Sequence, residues 1–218
     1  MGILKKILYK MAGTNEEIES LYREKGPCNE WVDARIAIQK KPKTFDKALN
    51  ADMLISVGRY AEAEEILDSI SLNLMSDDDA KGMTLFERMN LYIHTGRYEK
   101  ATEIFTQNQK FLDIYFTSPV RERYAIAYFD AISRISAYNH DEQNANNYLS
   151  HEKVFSEKYE GDFPVMFKIT NVAVLKLLGS ESAQSEYEKL KAEIESHDFP
   201  MVWQKEHNLK LLSKAFNA

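Results

Sequence analysis

The chain has 218 residues and a formal net charge of −6, from 28 basic and 34 acidic side chains. This acidic excess argues against a protein that reads nucleic-acid phosphates through a broad basic face. A hydrophobic content of 44% allows a sizeable core, and the one cysteine, Cys28, cannot form an intramolecular disulfide, which favours a reducing, cytoplasmic location.

Residues 1–11 predict a short basic amphipathic helix. Its apolar face consists of Ile3, Leu4, Ile7, Leu8 and Met11, and the lysines beside that face are Lys5, Lys6 and Lys10. The segment lacks the long apolar core of a secretory signal and is shorter than the ~20 apolar residues of a spanning helix. Two interpretations stay open: the helix packs on the body or a partner, or it lies on the inner face of an anionic membrane.

Residues 12–43 predict two more N-terminal helices. The run Thr14-Asn15-Glu16-Glu17 has the spacing of a capping box and starts a helix that ends near Lys25, before Gly26-Pro27. The segment 30–39 follows, bounded by Lys40-Lys41-Pro42. Its periodicity fits either a helix or a strand, and we predict a helix.

Residues 44–111 predict two helical pairs. Thr44 is the predicted cap of a helix to Val57, Gly58 ends it, and a partner helix begins at Arg59-Tyr60. The second pair covers about residues 83–95 and 98–111. The acidic run at residues 77–79 suits a helix N-terminus, where carboxylates meet the positive end of the dipole.

Two further pairs and a final helix complete the prediction. Ser118-Pro119 is a start signal for a helix from Val120 to about Tyr138, with a partner that begins near Asp141. Residues 165–178 and 181–196 form the fourth pair. A last helix, about residues 201–216, is predicted to cover the open end with Val202, Trp203, Leu209, Leu212 and Phe216.

A repeat runs through these pairs. Gly58-Arg59-Tyr60 returns as Gly96-Arg97-Tyr98, and a small residue early in each second helix recurs at spacings of 38, 44 and 38 residues. These small residues are Ala63, Ala101, Ala145 and Ala183, each followed four residues later by Leu67, Phe105, Leu149 or Tyr187. A small side chain lets two antiparallel helices approach closely, and the larger side chain fills the groove beyond.

The pattern resembles the tetratricopeptide repeat (TPR), a helix–turn–helix unit of 34 residues. The third unit departs from it with His140 in place of the turn glycine, and the first helix of the second unit has Met89 where the family has a small residue. The resemblance covers Thr44 to Ser196 and divides the chain into N-terminal helices (1–43), four degenerate TPR-like hairpins (44–196) and a C-terminal capping helix (197–218). The alternative is an irregular helical bundle with two chance matches.

The resemblance implies an all-α, right-handed superhelix whose first helices line a concave groove. Its register assigns the groove to Phe45, Ala48, Asp52, Ile55, Phe86, Asn90, Ile93, His94, Asp130, Arg134, Tyr138, Lys168 and Val172. Family members that clamp acidic peptide ends present Lys, Asn and Arg there, and Asp52 and Asp130 have the wrong sign for that ligand. A mixed aromatic and polar groove suits an amphipathic helix or an extended peptide with apolar anchors.

No pattern in the sequence predicts a catalytic residue, a cofactor site or a metal site. The histidines, His94, His140, His151, His197 and His207, include no pair at the three- or four-residue spacing of ligands on one helix face. Ser150 to Lys153 matches a serine–lysine tetrad without its companion motifs, and Cys28 has no CxxC partner.

These observations favour a non-enzymatic interaction module that binds a protein or peptide and makes no direct contact with nucleic acid. One alternative is a peripheral membrane-associated adaptor that uses residues 1–11 for weak contact with the membrane surface. Another is a regulatory module that senses a peptide and acts through a second chain.

Overall fold

The fold is known from a computed structural model that describes residues 15–72 and 77–217, and these residues form helices without any strand. The predicted all-α class is confirmed. The α-helices are α1 Asn15–Lys25, α2 Asn29–Ala37, α3 Thr44–Ser56, α4 Tyr60–Asp68, α5 Asp78–His94, α6 Tyr98–Phe116, α7 Ala125–Tyr138, α8 Glu142–Glu160, α9 Val165–Leu177, α10 Ala183–Ser196 and α11 Val202–Asn217. The predicted basic helix over residues 1–11 lies outside the described residues.

The described chain belongs to two compact units. The residues up to Glu87, together with Phe199–Gln204, form the first unit. Arg88–Asp198 and the residues from Lys205 onward form the second. One boundary therefore lies within α5, and another lies near the start of α11.

An aromatic cluster organises the turn between α1 and α2 in the first unit. The Tyr22 ring lies 5.0 Å from the Trp31 ring and 5.5 Å from the Trp203 ring. Gly26, which ends α1 with φ of +68°, is so close to this cluster that an added Cβ would lie 2.4 Å from the Trp203 ring. Trp203 thus closes this cluster, whereas its neighbour Val202 is 96% exposed and does not cover the core as predicted.

The segment 30–39, whose periodicity fitted either a helix or a strand, forms the helix α2. Polar contacts hold this helix in place. The Arg59 guanidinium, just before α4, lies 2.6 Å from Asp33 of α2 and 2.6 Å from Glu62. The Gln39 and Asn50 side-chain amides exchange two hydrogen bonds of 3.0 and 2.8 Å. These contacts link the end of α2 to α3 and to the turn that follows it.

Four helical hairpins close with the same backbone motif, in which two amide N–H groups donate back to carbonyls of the ending helix. In the second hairpin Gly96 N–H donates to Ile93 O (3.1 Å) and Arg97 N–H donates to Tyr92 O (2.8 Å). The turns at residues 58, 140 and 179 repeat both bonds. This is the Schellman motif, which needs a left-handed residue at its first donor. In the third hairpin that residue is His140, with φ of 57°.

The small residues predicted to mark the second helices are buried. Ala63, Ala101, Ala145 and Ala183 lie at the N-terminal ends of α4, α6, α8 and α10 and are at most 4% exposed. Burial is what the prediction required of these four positions.

Two predicted helix starts are wrong. The helix α3 begins at Thr44, but Thr44 does not cap it; the Asp46 carboxylate instead accepts the Lys43 backbone N–H (2.9 Å). After Ser118 the chain forms a 3₁₀-helix, Pro119–Tyr124, and the α-helix α7 starts only at Ala125. Val120 is 87% exposed, and a polar contact ties this turn to α8: Lys158 Nζ lies 2.7 Å from the Glu122 carboxylate.

The core of the second unit is built on α7, which packs against α6, α8 and α9, while α9 also packs against α8 and α10. Phe116 of α6 and Tyr128 of α7 are buried, and their rings stack at 4.8 Å. The Tyr128 hydroxyl donates to Asp113 (2.5 Å), so the one polar end of this pair is satisfied. This packing holds α7 and α9 together beside the site described next.

Candidate binding site

A cavity of about 120 Å³ lies within the second unit, where the first helices of three successive hairpins meet the C-terminal helix. Its lining comes from four helices: Asn90, Ile93 and His94 of α5; Ala127, Asp130 and Arg134 of α7; Met166 and Ile169 of α9; and Leu211, Lys214 and Ala215 of α11. Each helix contributes residues three or four positions apart, which is the spacing of one helix face.

Several of the residues predicted for the groove meet at this cavity. They are Asn90, Ile93, His94, Asp130 and Arg134. They lie on α5 and α7, the first helices of the second and third predicted units.

The predicted groove residues on α3 and in the first part of α5 belong to the first unit. Ile55 and Phe86 are each 3% exposed and lie in its core. Phe45 is half-buried and Asp52 is exposed.

Tyr138 and Lys168 lie in the second unit but away from the cavity. The Tyr138 ring stacks on Tyr98 at 4.8 Å, and its hydroxyl donates to Glu99. Lys168 Nζ lies 2.5 Å from the Glu193 carboxylate of α10. The face of α9 that reaches the cavity is instead that of Met166 and Ile169.

The Arg134 side chain is the central polar group of the cavity wall. It is 5% exposed, and both its Nε and its Nη2 lie 2.7 Å from Asp130 Oδ1, one turn earlier on α7. A buried guanidinium needs such a partner, because an unpaired buried charge costs several kcal/mol.

A second carboxyl group extends this network behind the wall. Thr170 Oγ1 contacts Asp130 Oδ1 and lies 2.9 Å from Glu152 Oε1. One hydroxyl proton cannot serve both carboxylates. Burial, reinforced by the charge of Asp130, raises the pKa of Glu152, so the neutral form of this carboxyl group is favoured beside Asp130.

His94 and Lys214 lie in an environment that disfavours their positively charged forms. Burial, with smaller contributions from Lys214 and Arg134, lowers the pKa of His94 to about 3. Burial, with smaller contributions from Arg134 and Lys210, lowers the pKa of Lys214 to about 8. At neutral pH His94 is therefore an uncharged donor or acceptor, while Lys214 remains mostly protonated.

Sequence reasoning did not find Lys214, Glu152 or Thr170. Glu152 lies in a polar stretch that reads as a solvated face, yet it continues the buried stripe Ala145, Leu149, Glu152 and Ser156 at helical spacing. For Lys214, the signal was the spacing of Leu211, Lys214 and Ala215 on one face of α11.

Among the residues that the structure describes, no three His, Cys, Asp or Glu side chains converge as metal ligands. In residues 15–72 and 77–217, no helix combines the length and the apolar character that crossing a membrane requires.

Comparison with known proteins yields no family assignment. No protein-family model matches the chain, and neither curated proteins nor solved structures show significant similarity to it.

Proposed function

We propose that this chain is a non-enzymatic scaffold of TPR-like helical hairpins, stacked as a right-handed superhelix, which binds a protein or peptide partner along its first helices. The hairpins supply a rigid support, and the concave side of α5, α7 and α9 supplies the contact surface. The chemistry of that surface, apolar with a few charged groups, is typical of peptide recognition rather than of catalysis.

The observation that carries the proposal is the cavity shared by α5, α7 and α9. Three successive first helices turn side chains toward one space, and this is the surface that helical-repeat proteins use for ligands. The surface combines apolar side chains such as Ile93 and Met166 with the ion pair of Asp130 and Arg134.

The C-terminal helix indicates what kind of partner fits. It presents Leu211, Lys214 and Ala215, at positions i, i+3 and i+4, to the cavity. A helix with one apolar face and a polar group within it is therefore compatible with this surface, which supports an amphipathic helix or an extended peptide with apolar anchors as the ligand.

Site-specific cross-linking tests the proposal. A thiol-reactive photo-cross-linker is attached at Ala127→Cys, on the cavity wall, and at Glu142→Cys, an exposed position of α8, both in a Cys28→Ser background. We expect a discrete cross-linked partner from cell extract with Ala127→Cys and none with Glu142→Cys. Equal labelling from both positions, or labelling from position 142 alone, contradicts a binding surface on the first helices.

A further inference from the structure

The connection between α8 and α9 is closed differently from the four hairpin turns. Gly161, the residue that follows α8, has φ of 73° and ψ of −138°. These angles lie outside the left-handed helical region that a Schellman motif needs. The paired backbone bonds of the turns at residues 58, 96, 140 and 179 are therefore not repeated at residues 161–164.

Three polar side chains lie on one stripe of α8, each one turn from the next. They are Glu152, Ser156 and Glu160, and the first two are fully buried. Glu160 accepts from the Met166 backbone N–H, in the first turn of α9, at 3.3 Å. Glu152 Oε1 lies 2.9 Å from Thr170 Oγ1, in the second turn of α9. These two contacts link the C-terminal half of α8 to the start of α9.

The carboxyl groups of this stripe are costly to ionise. Asp130 of α7 contacts the same Thr170 hydroxyl as Glu152, and the second oxygen of Glu152, Oε2, is buried without a hydrogen-bond partner. The nearby cation, Arg134, is already paired with Asp130. Burial raises the pKa of Glu152 well above its ordinary value and that of Glu160 to about 7. A conformation that exposes Glu160 to water therefore becomes more favourable as the pH rises, because water restores the ordinary pKa.

Charged side chains near the connection have partners of their own. Lys158 of α8 lies 2.7 Å from the Glu122 carboxylate of the 3₁₀-helix, and Lys168 of α9 pairs with α10. Neither lysine therefore serves as the counter-charge of the α8 stripe. His197, at the end of α10, stacks at 4.2 Å on the ring of Phe163 in the connection, so its titration needs a control of its own.

We propose that the contact between Glu160 and the Met166 N–H is a pH-sensitive latch, which holds the first turn of α9 on α8 while Glu160 is neutral and releases it when Glu160 ionises. Glu160 loses its proton near pH 7, so the latch is closed in mildly acidic solution and opens in mildly alkaline solution. The released turn carries the Met166 side chain, which lines the cavity, and opening therefore alters one wall of the candidate binding site. The latch is a conformational property, and it does not depend on the partner-binding function.

Amide hydrogen exchange of the full chain, followed by NMR between about pH 5.5 and pH 8, tests the latch. Each rate is divided by the intrinsic exchange rate at the same pH, so that the resulting protection factor reports opening alone. We expect the protection of residues 166–170 to fall about 5- to 30-fold over this range, a factor reduced from the full shift because Glu160 is partly exposed. The protection of α6 and α7 should change much less, because the opening is local.

Variants assign the change to Glu160. Glu160→Gln keeps an acceptor for the Met166 N–H but cannot ionise, so the protection of residues 166–170 should stay constant with pH. Glu157→Gln, at an exposed position of the same helix, and His197→Gln should both follow wild type. The proposal is overturned if protection at the start of α9 is independent of pH in wild type, or falls equally in α6 and α7. It is also overturned if Glu160→Gln behaves like wild type, or if His197→Gln removes the pH dependence.

Discussion

His140 carries a conformational cost that the glycines of the other hairpins do not. It occupies the left-handed position of a Schellman turn, at φ of 57°. A side chain with a Cβ is disfavoured there by about 1–2 kcal/mol, whereas glycine is not. The third hairpin therefore keeps the geometry of the turn without its preferred residue.

Replacing this histidine should stabilise the protein. We expect His140→Gly to raise the free energy of unfolding by about 0.5–1 kcal/mol in denaturant titrations, less than the full strain because glycine also loosens the unfolded chain. The matched control is Gly96→Ala in the second hairpin, which should lower it by a similar amount, since no atom lies within 4 Å of an added Cβ there and only the backbone is strained. A loss of stability in His140→Gly would contradict this account of the turn.

Glu160, at the end of α8, makes folding depend on pH. Burial raises its pKa to about 7, although the Met166 backbone N–H, 3.3 Å from its carboxylate, opposes the shift. The folded state keeps this proton above pH 4.5, where the unfolded state loses it. Stability is therefore lost as the pH rises from about 4.5 through 7.

A Glu160→Gln variant should lack this dependence. Between about pH 5 and pH 8 the free energy of unfolding of wild type should fall by ~1–2 kcal/mol relative to Glu160→Gln, a value reduced from the full shift because the group is partly exposed. Glu157→Gln, at an exposed position of the same helix, should follow wild type. Parallel pH profiles of wild type and Glu160→Gln would show that burial does not raise the pKa of the Glu160 carboxyl group.

At the scale of helices, the sequence predicted where each helix lies along the chain better than which side of the helix faces the cavity. The hairpin turns and the buried alanines follow from glycine punctuation and spacing, which are local signals. The side of α9 that faces the cavity does not follow from such signals. Val172, Ala173 and Val174 are consecutive and all buried, so the apolar residues of this helix indicate no preferred side. Lys168 was assigned by family register in the weakest repeat, and it pairs with α10 instead.

The buried ion pair on α7 should be sensitive to the loss of one partner. We expect Asp130→Asn to lower the free energy of unfolding by ~3 kcal/mol, because it leaves the Arg134 guanidinium buried without a counter-charge. Replacing both members in Asp130→Leu with Arg134→Met should recover much of that loss. Asp162→Asn, at an exposed loop position, serves as control with a change below ~0.5 kcal/mol. If Asp130→Asn behaves like this control, the pair does not stabilise the cavity wall.

At the scale of the whole molecule, the net charge does not describe the lining of the cavity. The chain carries −6, yet its second unit holds a cavity in which basic groups outnumber the one lining carboxylate. Composition argues against a broad basic face, and it carries no information about this cavity. Its groups are 120 residues apart along the chain, from His94 to Lys214, and only the packing of α5, α7 and α11 brings them together.

The proposed binding surface places the His94 side chain in the lining of the cavity, together with Arg134 and Lys214. An NMR titration of the imidazole signals, assigned by comparison with His94→Gln, measures this environment directly. We predict that the His94 signals stay in the neutral form from about pH 8 down to about pH 5, because its pKa is lowered to about 3. A titration midpoint near the ordinary value of 6.5 would contradict the cavity on which the account is built.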